Sequence, residues 1–108
     1  MSYKLEYTDE AKSDLKGFDG SQAKQIRKII DKVSENPLPK SEGGYGEPLG
    51  NKRGTNLTGH CKIKLLKLGV RVVYKLIRVD NIMKVIVIAA RADNEVYEIT
   101  AKRIKNDK

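Results

Sequence analysis

The order of apolar and polar residues divides the chain into strand-like and helix-like stretches. Apolar and polar residues alternate from Tyr3 to Tyr7, which predicts a half-buried strand. A short helix capped by Thr8 or Asp9 follows, and glycines end it. The clearest helix begins after the candidate cap Ser21 and ends at the step into Pro37. Its apolar positions share one face: Ala23, Ile26, Ile29, Ile30 and Val33.

Residues 37–56 interrupt this regular pattern. They carry all three prolines and five of the nine glycines, a composition that predicts a long loop without strand or helix. The segment Gly43-Gly44-Tyr45-Gly46 matches no phosphate-binding fingerprint, and no predicted strand precedes it. We therefore expect its glycines to provide flexibility.

The rest of the pattern predicts three strands rich in β-branched residues, at residues 57–65, 70–79 and 82–90. Asp80-Asn81 indicates a two-residue hairpin turn between the last two strands. Asp93 or Asn94 then caps a C-terminal helix. The expected fold is α+β and forms one domain over residues 1–108. It has a mostly antiparallel four-stranded sheet, two N-terminal helices and a C-terminal helix, with the helices packed on one side.

Charge extends this picture towards function. Lys plus Arg total 22 against 14 Asp plus Glu, which gives a net charge of +8. Such an excess favours nucleic acid as a partner, RNA first, and then an acidic protein or an anionic membrane; high solubility alone is the simpler alternative. No apolar run reaches the length of a membrane span and the N-terminus does not resemble a signal peptide, so we expect a cytoplasmic protein without a membrane partner. With Cys61 as the one cysteine and His60 as the one histidine, we expect no metal site and no cofactor.

The basic residues gather in the predicted strands. Lys62 and Lys64 are two residues apart on one strand, so their side chains project from the same face. Arg71 joins them if the turn holds an even number of residues, such as Leu66 to Gly69, whereas an odd turn sends it to the other face. Burial favours the even register, because it collects one apolar face: Cys61, Ile63, Leu65, Val72, Tyr74, Leu76, Val85 and Val87. Neighbouring cations repel, which an anionic ligand would offset; alternatively, they are long solvated side chains.

Four segments, in order and at matching spacing, resemble the RelE-type toxins of bacterial toxin–antitoxin pairs. They are the Lys-x-Lys strand Lys62–Lys64, the Gly-x-Arg-hydrophobic-hydrophobic-Tyr strand Gly69–Tyr74, Arg91 with Glu95-Val96-Tyr97, and Lys102-Arg103-Ile104. The resemblance implies a fold related to small microbial ribonucleases and an mRNA endonuclease that cleaves message in the ribosomal A site, near 16S rRNA, by metal-independent 2′-OH attack. It also implies neutralisation by a RelB-like antitoxin, with operator DNA bound only through the toxin–antitoxin complex.

The resemblance carries catalytic positions onto Lys62, Lys64, Arg71, Arg91 and Tyr97. Cleavage of this type requires an activated 2′-OH, a stabilised phosphorane and a protonated 5′-oxygen. Neighbouring cations favour the neutral form of a lysine, so Lys64 or Lys62 is the candidate base, and the forked donors of Arg71 would hold the phosphate. Arg91 would stabilise charge and donate the proton. Tyr97 would stack on a base or share in proton transfer.

Glu47 is a competing candidate base. The segment Gly46-Glu47-Pro48-Leu49 resembles one in the YoeB-like branch, where a glutamate at the matching position is a proposed general base; a solvated loop glutamate is the simpler interpretation. His60 has no matching role, and we expect it to be structural or surface-exposed. Two other functions stay open, namely a ParE-like toxin that inhibits gyrase without catalytic residues and a plain nucleic-acid-binding module. The full set of basic residues and tyrosine argues against the ParE-like function.

Overall fold

The computed structural model describes residues 2–52, 55–90 and 93–106. Five strands form one sheet in the order β1-β5-β4-β3-β2, in which β1 and β5 are parallel and the other neighbours are antiparallel. The elements in chain order are β1 (Lys4–Tyr7), α1 (Asp9–Lys16), α2 (Gly20–Val33), β2 (Glu47–Lys52), β3 (Thr55–Leu65), β4 (Val70–Ile77), β5 (Ile82–Ala89) and α3 (Asp93–Asn106). The predicted α+β class, with two N-terminal helices and a C-terminal helix, is confirmed.

The fifth strand lies in the segment that was predicted as a loop. Residues 47–52 pair with β3, although Pro48 has no N–H to donate. An edge strand tolerates this, because one side of its backbone has no neighbouring strand to bond. The sheet therefore has five strands where the sequence predicted four.

Helix caps follow the predicted chemistry, with one shift of position. Thr8 Oγ1 accepts a hydrogen bond of 3.0 Å from the Ala11 N–H, which caps α1. Asp19 Oδ1 accepts one of 2.8 Å from the Gln22 N–H, so Asp19 caps α2 in place of the predicted Ser21. None of the described helices is long and apolar enough to cross a membrane.

The helices cover both faces of the sheet, so the prediction that they pack on one side is wrong. One core places α1 and α2 against Ile63, Val72 and Tyr74, and a second core places Val96 of α3 against Val73 and other residues of the opposite face. A register irregularity explains one further difference. Val73 pairs with Val87 and Tyr74 with Val85, which leaves Ile86 as an extra residue in β5. This β-bulge moves Val87 to the α3 side, away from the predicted set.

Two connections differ from their predicted conformations. The turn between β4 and β5 is a 3₁₀ helix, Arg78–Asp80, followed by Asn81 at φ 54°, in place of a two-residue hairpin turn. The glycines before β2 serve close packing: a Cβ at Gly46 would overlap the Tyr74 hydroxyl and lie 3.1 Å from Cys61 Sγ. Tyr74 Oη also donates a buried hydrogen bond of 2.7 Å to the Pro37 carbonyl. Flexibility is therefore the wrong explanation for Gly46, which the packing requires to lack a side chain.

Candidate active site

Lys62 joins the sheet to the C-terminal helix. Its side chain lies on the α3 face of β3 and is only 6% exposed. Its Nζ donates a hydrogen bond of 2.7 Å to Tyr97 Oη and lies 4.9 Å from the centroid of that ring. Tyr97 reaches this position because Val96, the preceding residue, is fully buried against the sheet and fixes the first turns of α3. The contact brings together two of the predicted site residues that are 35 positions apart.

Lys64 and Arg71 continue the same face towards the β3–β4 turn. They are directly opposite each other in the register, and a four-residue turn, Leu66 to Gly69, connects their strands. The even register predicted from burial is therefore confirmed. Lys64 is exposed and Arg71 is half-buried. Directly opposed residues have Cβ atoms about 5 Å apart, so both cationic groups can reach one bound phosphate.

Glu47 borders the same cluster on the other side of Lys62. It lies in β2 directly opposite Lys62, so both side chains leave the sheet on one face. Lys40 Nζ donates to Glu47 Oε1 at 3.4 Å, and Glu47 Oε2 is buried without a hydrogen-bond partner among the described residues. Glu47 therefore belongs to a strand and not to the predicted loop, and its side chain is 36% exposed. Lys40 was missed in the sequence, because nothing in a proline- and glycine-rich stretch indicates which loop cation will reach the sheet.

Two further residues were considered from the sequence, namely Arg91 and His60. Arg91 lies outside the described residues, so its position on this face stays a prediction. His60 is 6% exposed, in agreement with a structural position and not with a surface one. Among the described residues, no group of three or more His, Cys, Asp or Glu side chains is arranged to hold a metal ion.

The residues beneath the cluster are neutral and tightly packed. Cys61 lies between Lys62 and His60 in sequence and points to the opposite face, into the core of α1 and α2. Burial raises the pKa of the Cys61 thiol, and the neighbouring Tyr74 hydroxyl only partly counters this. Burial likewise raises the pKa of the Tyr74 hydroxyl, which keeps it protonated as the donor to Pro37. The basic face therefore rests on an uncharged layer that does not neutralise it.

Comparison with solved structures relates this geometry to known proteins. The isolated E. coli RelE toxin matches with a TM-score of 0.67 at 25% sequence identity, over 95% of this chain and 99% of that chain. An E. coli RelE variant with two arginines replaced by alanine, in complex with a peptide of the antitoxin RelBc, gives the same TM-score and identity over 95% and 98% of the two chains. The chain has the RelE fold. The resemblance to RelE-type toxins found in the motifs is thereby confirmed.

A more distant structure agrees on the fold alone. The toxin–antitoxin complex RelBE2 from Mycobacterium tuberculosis matches with a TM-score of 0.68 at 20% identity, over 86% of this chain and 95% of that chain. No family model and no curated protein sequence gives a significant match. The RelE-like backbone is thus preserved at a low sequence identity, and Lys62, Lys64 and Arg71 lie on the α3 face of that backbone.

Proposed function

We propose that this chain is a RelE-like toxin that cleaves mRNA in the ribosomal A site. The observation that carries the proposal is the hydrogen bond from Lys62 to Tyr97. It brings an aromatic hydroxyl onto a sheet face that already presents Lys64 opposite Arg71. Two cations placed directly opposite each other repel, and an RNA phosphate bound between them would offset that repulsion.

In the proposed reaction, Lys64 takes the proton from the RNA 2′-OH. The 2′-oxygen then attacks the adjacent phosphorus, and the bond from phosphorus to the 5′-oxygen breaks. Lys64 suits the role of base better than Lys62 because it is exposed and within reach of RNA. Arg71 binds the non-bridging phosphate oxygens through its forked donors as charge develops on them.

Lys62 and Tyr97 act as a pair in this scheme. Lys62 is buried, and its ammonium group holds the Tyr97 hydroxyl at 2.7 Å, which fixes the ring above the sheet face. Tyr97 then stacks on a nucleobase or shares in the transfer of a proton. Arg91, carried over by the family resemblance, stabilises the transition state and donates the proton to the departing 5′-oxygen.

Glu47 is the alternative base. Its carboxylate is partly buried, and one of its oxygens has no hydrogen-bond partner among the described residues. The Glu47 side chain is also partly exposed, so its carboxylate can accept a proton from the hydroxyl of an RNA bound on this face. Replacement of Glu47 by Gln tests this role, because the amide keeps the shape of the side chain and removes its basicity.

The proposed protein partner is an antitoxin. Two of the structurally similar toxins occur in complex with antitoxins, namely E. coli RelE with RelBc and the M. tuberculosis pair RelBE2. We propose that a RelB-like protein neutralises this chain, and that operator DNA is contacted only through the resulting complex.

Mapping of mRNA 5′ ends in bacteria that express this chain tests the proposal. We expect new 5′ ends within translated codons, and their loss when the start codon of a reporter message is removed. Lys64→Ala and Arg71→Ala should abolish them, whereas the doubly substituted control Lys24→Gln/Lys28→Gln, on the exposed side of α2, should not. Full cleavage by Lys64→Ala and Arg71→Ala, or the accumulation of gyrase-cleaved DNA in place of cut message, would refute the proposed function.

A further inference from the structure

Apart from the candidate catalytic cluster, the α3 side of the sheet carries a groove next to the C-terminal end of that helix. Its volume is about 520 Å³, which lies within the range of small-ligand pockets. His60, Lys75, Lys84 and Ile86 form its floor, and Tyr7, Asp9, Glu10 and Arg103 are among its walls. None of these residues belongs to the candidate catalytic cluster.

The floor of the groove is a row of basic side chains across three strands. Lys75 lies opposite His60 in β3 and opposite Lys84 in β5, so all three project from one face. Two lysines directly opposite each other in an antiparallel pair destabilise the sheet. Glu6 of β1 lies beside Lys84 in the register and supplies one negative charge, so a bound anion would offset the repulsion that remains at the exposed Lys75, as in the candidate catalytic cluster two residues further along β3.

His60 gives the groove an unsatisfied polar group. Its side chain is 94% buried, and neither ring nitrogen has a hydrogen-bond partner among the described residues. Burial lowers the pKa of His60, and the charge on Lys75 lowers it further. Backbone groups of Thr58 and Leu57 partly offset these effects, although neither ring nitrogen meets hydrogen-bond geometry with them. A buried donor and acceptor left without partners is costly, and a ligand in the groove can supply both.

The strands are irregular where they border the groove. Ile86 is the extra residue of the β5 bulge. In β3, the three residues Thr58 to His60 lie between the pairs Gly50–Leu57 and Pro48–Cys61, where β2 has Leu49 alone, and Gly59 has φ 89°. Bulges occur often beside binding sites, because they redirect a side chain out of the regular alternation. The irregularities in β3 and β5 both border this groove, which is typical of a binding site.

The walls determine which anion fits. Asp9 and Glu10 face the basic floor from the first turn of α1, and Glu10 Oε2 lies 3.7 Å from Arg103 Nε. These carboxylates disfavour an acidic peptide. A nucleotide matches both sides, because its phosphate is anionic and the amino group of cytosine or adenine donates hydrogen bonds to carboxylates.

We propose that this groove is a subsite for one nucleotide of the RNA that flanks the cleaved bond. Its phosphate lies on Lys75 and Lys84, its base turns an amino group towards Asp9 or Glu10, and His60 completes the hydrogen bonds. The inference rests on the proposed function. Its geometric basis is that His60 and Lys62 project from the same strand face about 7 Å apart, so one extended strand of RNA can reach both.

Proton NMR of the untagged chain provides a direct test, because the protein has one histidine and its imidazole signals need no further assignment. Cytidine and uridine monophosphate are the matched probes, since they differ in the amino group or carbonyl at position 4 of the base. At constant pH we expect cytidine monophosphate to shift the His60 signals saturably, and uridine monophosphate to bind about fivefold or more weakly. Inorganic phosphate should shift them less than either nucleotide.

Charge variants separate a specific subsite from general attraction. The double variant Lys75→Gln/Lys84→Gln should weaken cytidine monophosphate binding about tenfold or more. The control Lys24→Gln/Lys28→Gln removes the same charge from the opposite face and should leave binding within about twofold. Equal weakening by both variants, no shift at millimolar nucleotide, or a shift with an oligoglutamate peptide but not with the nucleotide would each overturn the proposal. Thermal unfolding of both variants establishes that they are folded.

The two proposals fail separately. If nucleotide shifts the His60 signals but the chain cuts no message, the proposed function is wrong and the groove remains a nucleotide site. If message is cut with equal efficiency by wild type and Lys75→Gln/Lys84→Gln, and nucleotide leaves the signals unchanged, the subsite is wrong and the proposed function stands.

Discussion

The two ends of α3 contact the rest of the protein through different chemistry. In its first turns, the Tyr97 hydroxyl accepts one hydrogen bond from the Lys62 ammonium group at 2.7 Å. In its last turns, Arg103 donates to both carboxylate oxygens of Asp14, at 2.7 and 3.0 Å, and to the Ile86 carbonyl at 2.7 Å. One end joins a cation to a neutral hydroxyl, and the other matches a cation with a carboxylate.

This difference separates stability from function along one helix. Strand β1 covers β5 only as far as Val85, and beyond that point Asp14 accepts from the Ile88 N–H at 3.0 Å while Arg103 bonds Ile86. The ion pair therefore closes the strand edge that β1 leaves open. The Arg103 guanidinium is charged at every physiological pH, and the hydrogen bond to Asp14 raises its pKa further. The C-terminal end of α3 therefore holds the helix in place, and its N-terminal end presents Tyr97.

Removal of the anchor should have the largest effect on stability. Arg103→Met keeps the length of the side chain but leaves the Asp14 carboxylate without its forked donor, and we expect the free energy of unfolding to fall by about 3 kcal/mol. Urea denaturation measures this change. The control Lys102→Met removes a charge from the exposed side of the same helix and should cost less than about 0.5 kcal/mol. Equal losses in the two variants would show that Arg103 is not an anchor.

The packing of Gly46 against Tyr74 is a second anchor, on the side of the sheet away from α3. Its disruption should cause the second largest loss of stability. Gly46→Ala places a methyl group against the Tyr74 hydroxyl, so the hydrogen bond from Tyr74 to Pro37 must lengthen or break. We expect a loss of about 2 kcal/mol in the free energy of unfolding. Gly20→Ala is the control, because a Cβ at Gly20 meets no atom within 4 Å. An unchanged unfolding midpoint for Gly46→Ala would contradict the tight packing of this segment.

Sequence patterns predicted the parts of the site that lie within neighbouring strands. Alternation placed Lys62 and Lys64 on one face, and the burial argument for a four-residue turn placed Arg71 opposite Lys64. Both inferences use the two-residue period of a strand, which holds wherever the ladder is regular. The helices were predictable for a similar reason, since their apolar positions recur at a spacing that only a helix can bury on one side.

Contacts between distant elements were beyond such patterns. Nothing local to residues 47–52 predicts a strand, because their pairing depends on an exposed edge that β3 offers only after folding. The bulge at Ile86 reversed the face of Val87 by adding one residue to the ladder. The Lys62–Tyr97 hydrogen bond depends on which side of the sheet α3 covers, and chain order alone does not determine that side. Family resemblance supplied Tyr97 where physical reasoning on the sequence could not.

Tyr97→Phe tests the functional end of α3. The ring keeps its packing while Lys62 loses an acceptor, so we expect a loss of about 1 kcal/mol in the free energy of unfolding. Cleavage of translated message should nevertheless fall by about tenfold or more, because the hydroxyl leaves the basic face. Primer-extension assays on a reporter message measure this second effect. A variant as unstable as Arg103→Met, or one that cleaves at the wild-type rate, would remove the distinction between the two ends.

The smallest expected effect is a pH dependence of stability that arises beside the anchor, at His60. Its pKa in the folded protein is lower than the ordinary value of 6.5. Below pH 6.5 the unfolded chain therefore binds a proton that the folded chain resists, and stability present above that pH is lost as the pH falls. Tyr7, Asp9, Glu10, Lys75, Lys84 and Arg103 are the other titratable or charged groups that face the same groove. Between pH 7.5 and pH 5.5 we expect the free energy of unfolding of the wild type to fall by about 1 kcal/mol or less. The fall should be clearly smaller in His60→Gln. Parallel pH profiles of the two proteins would show that His60 is not the group responsible.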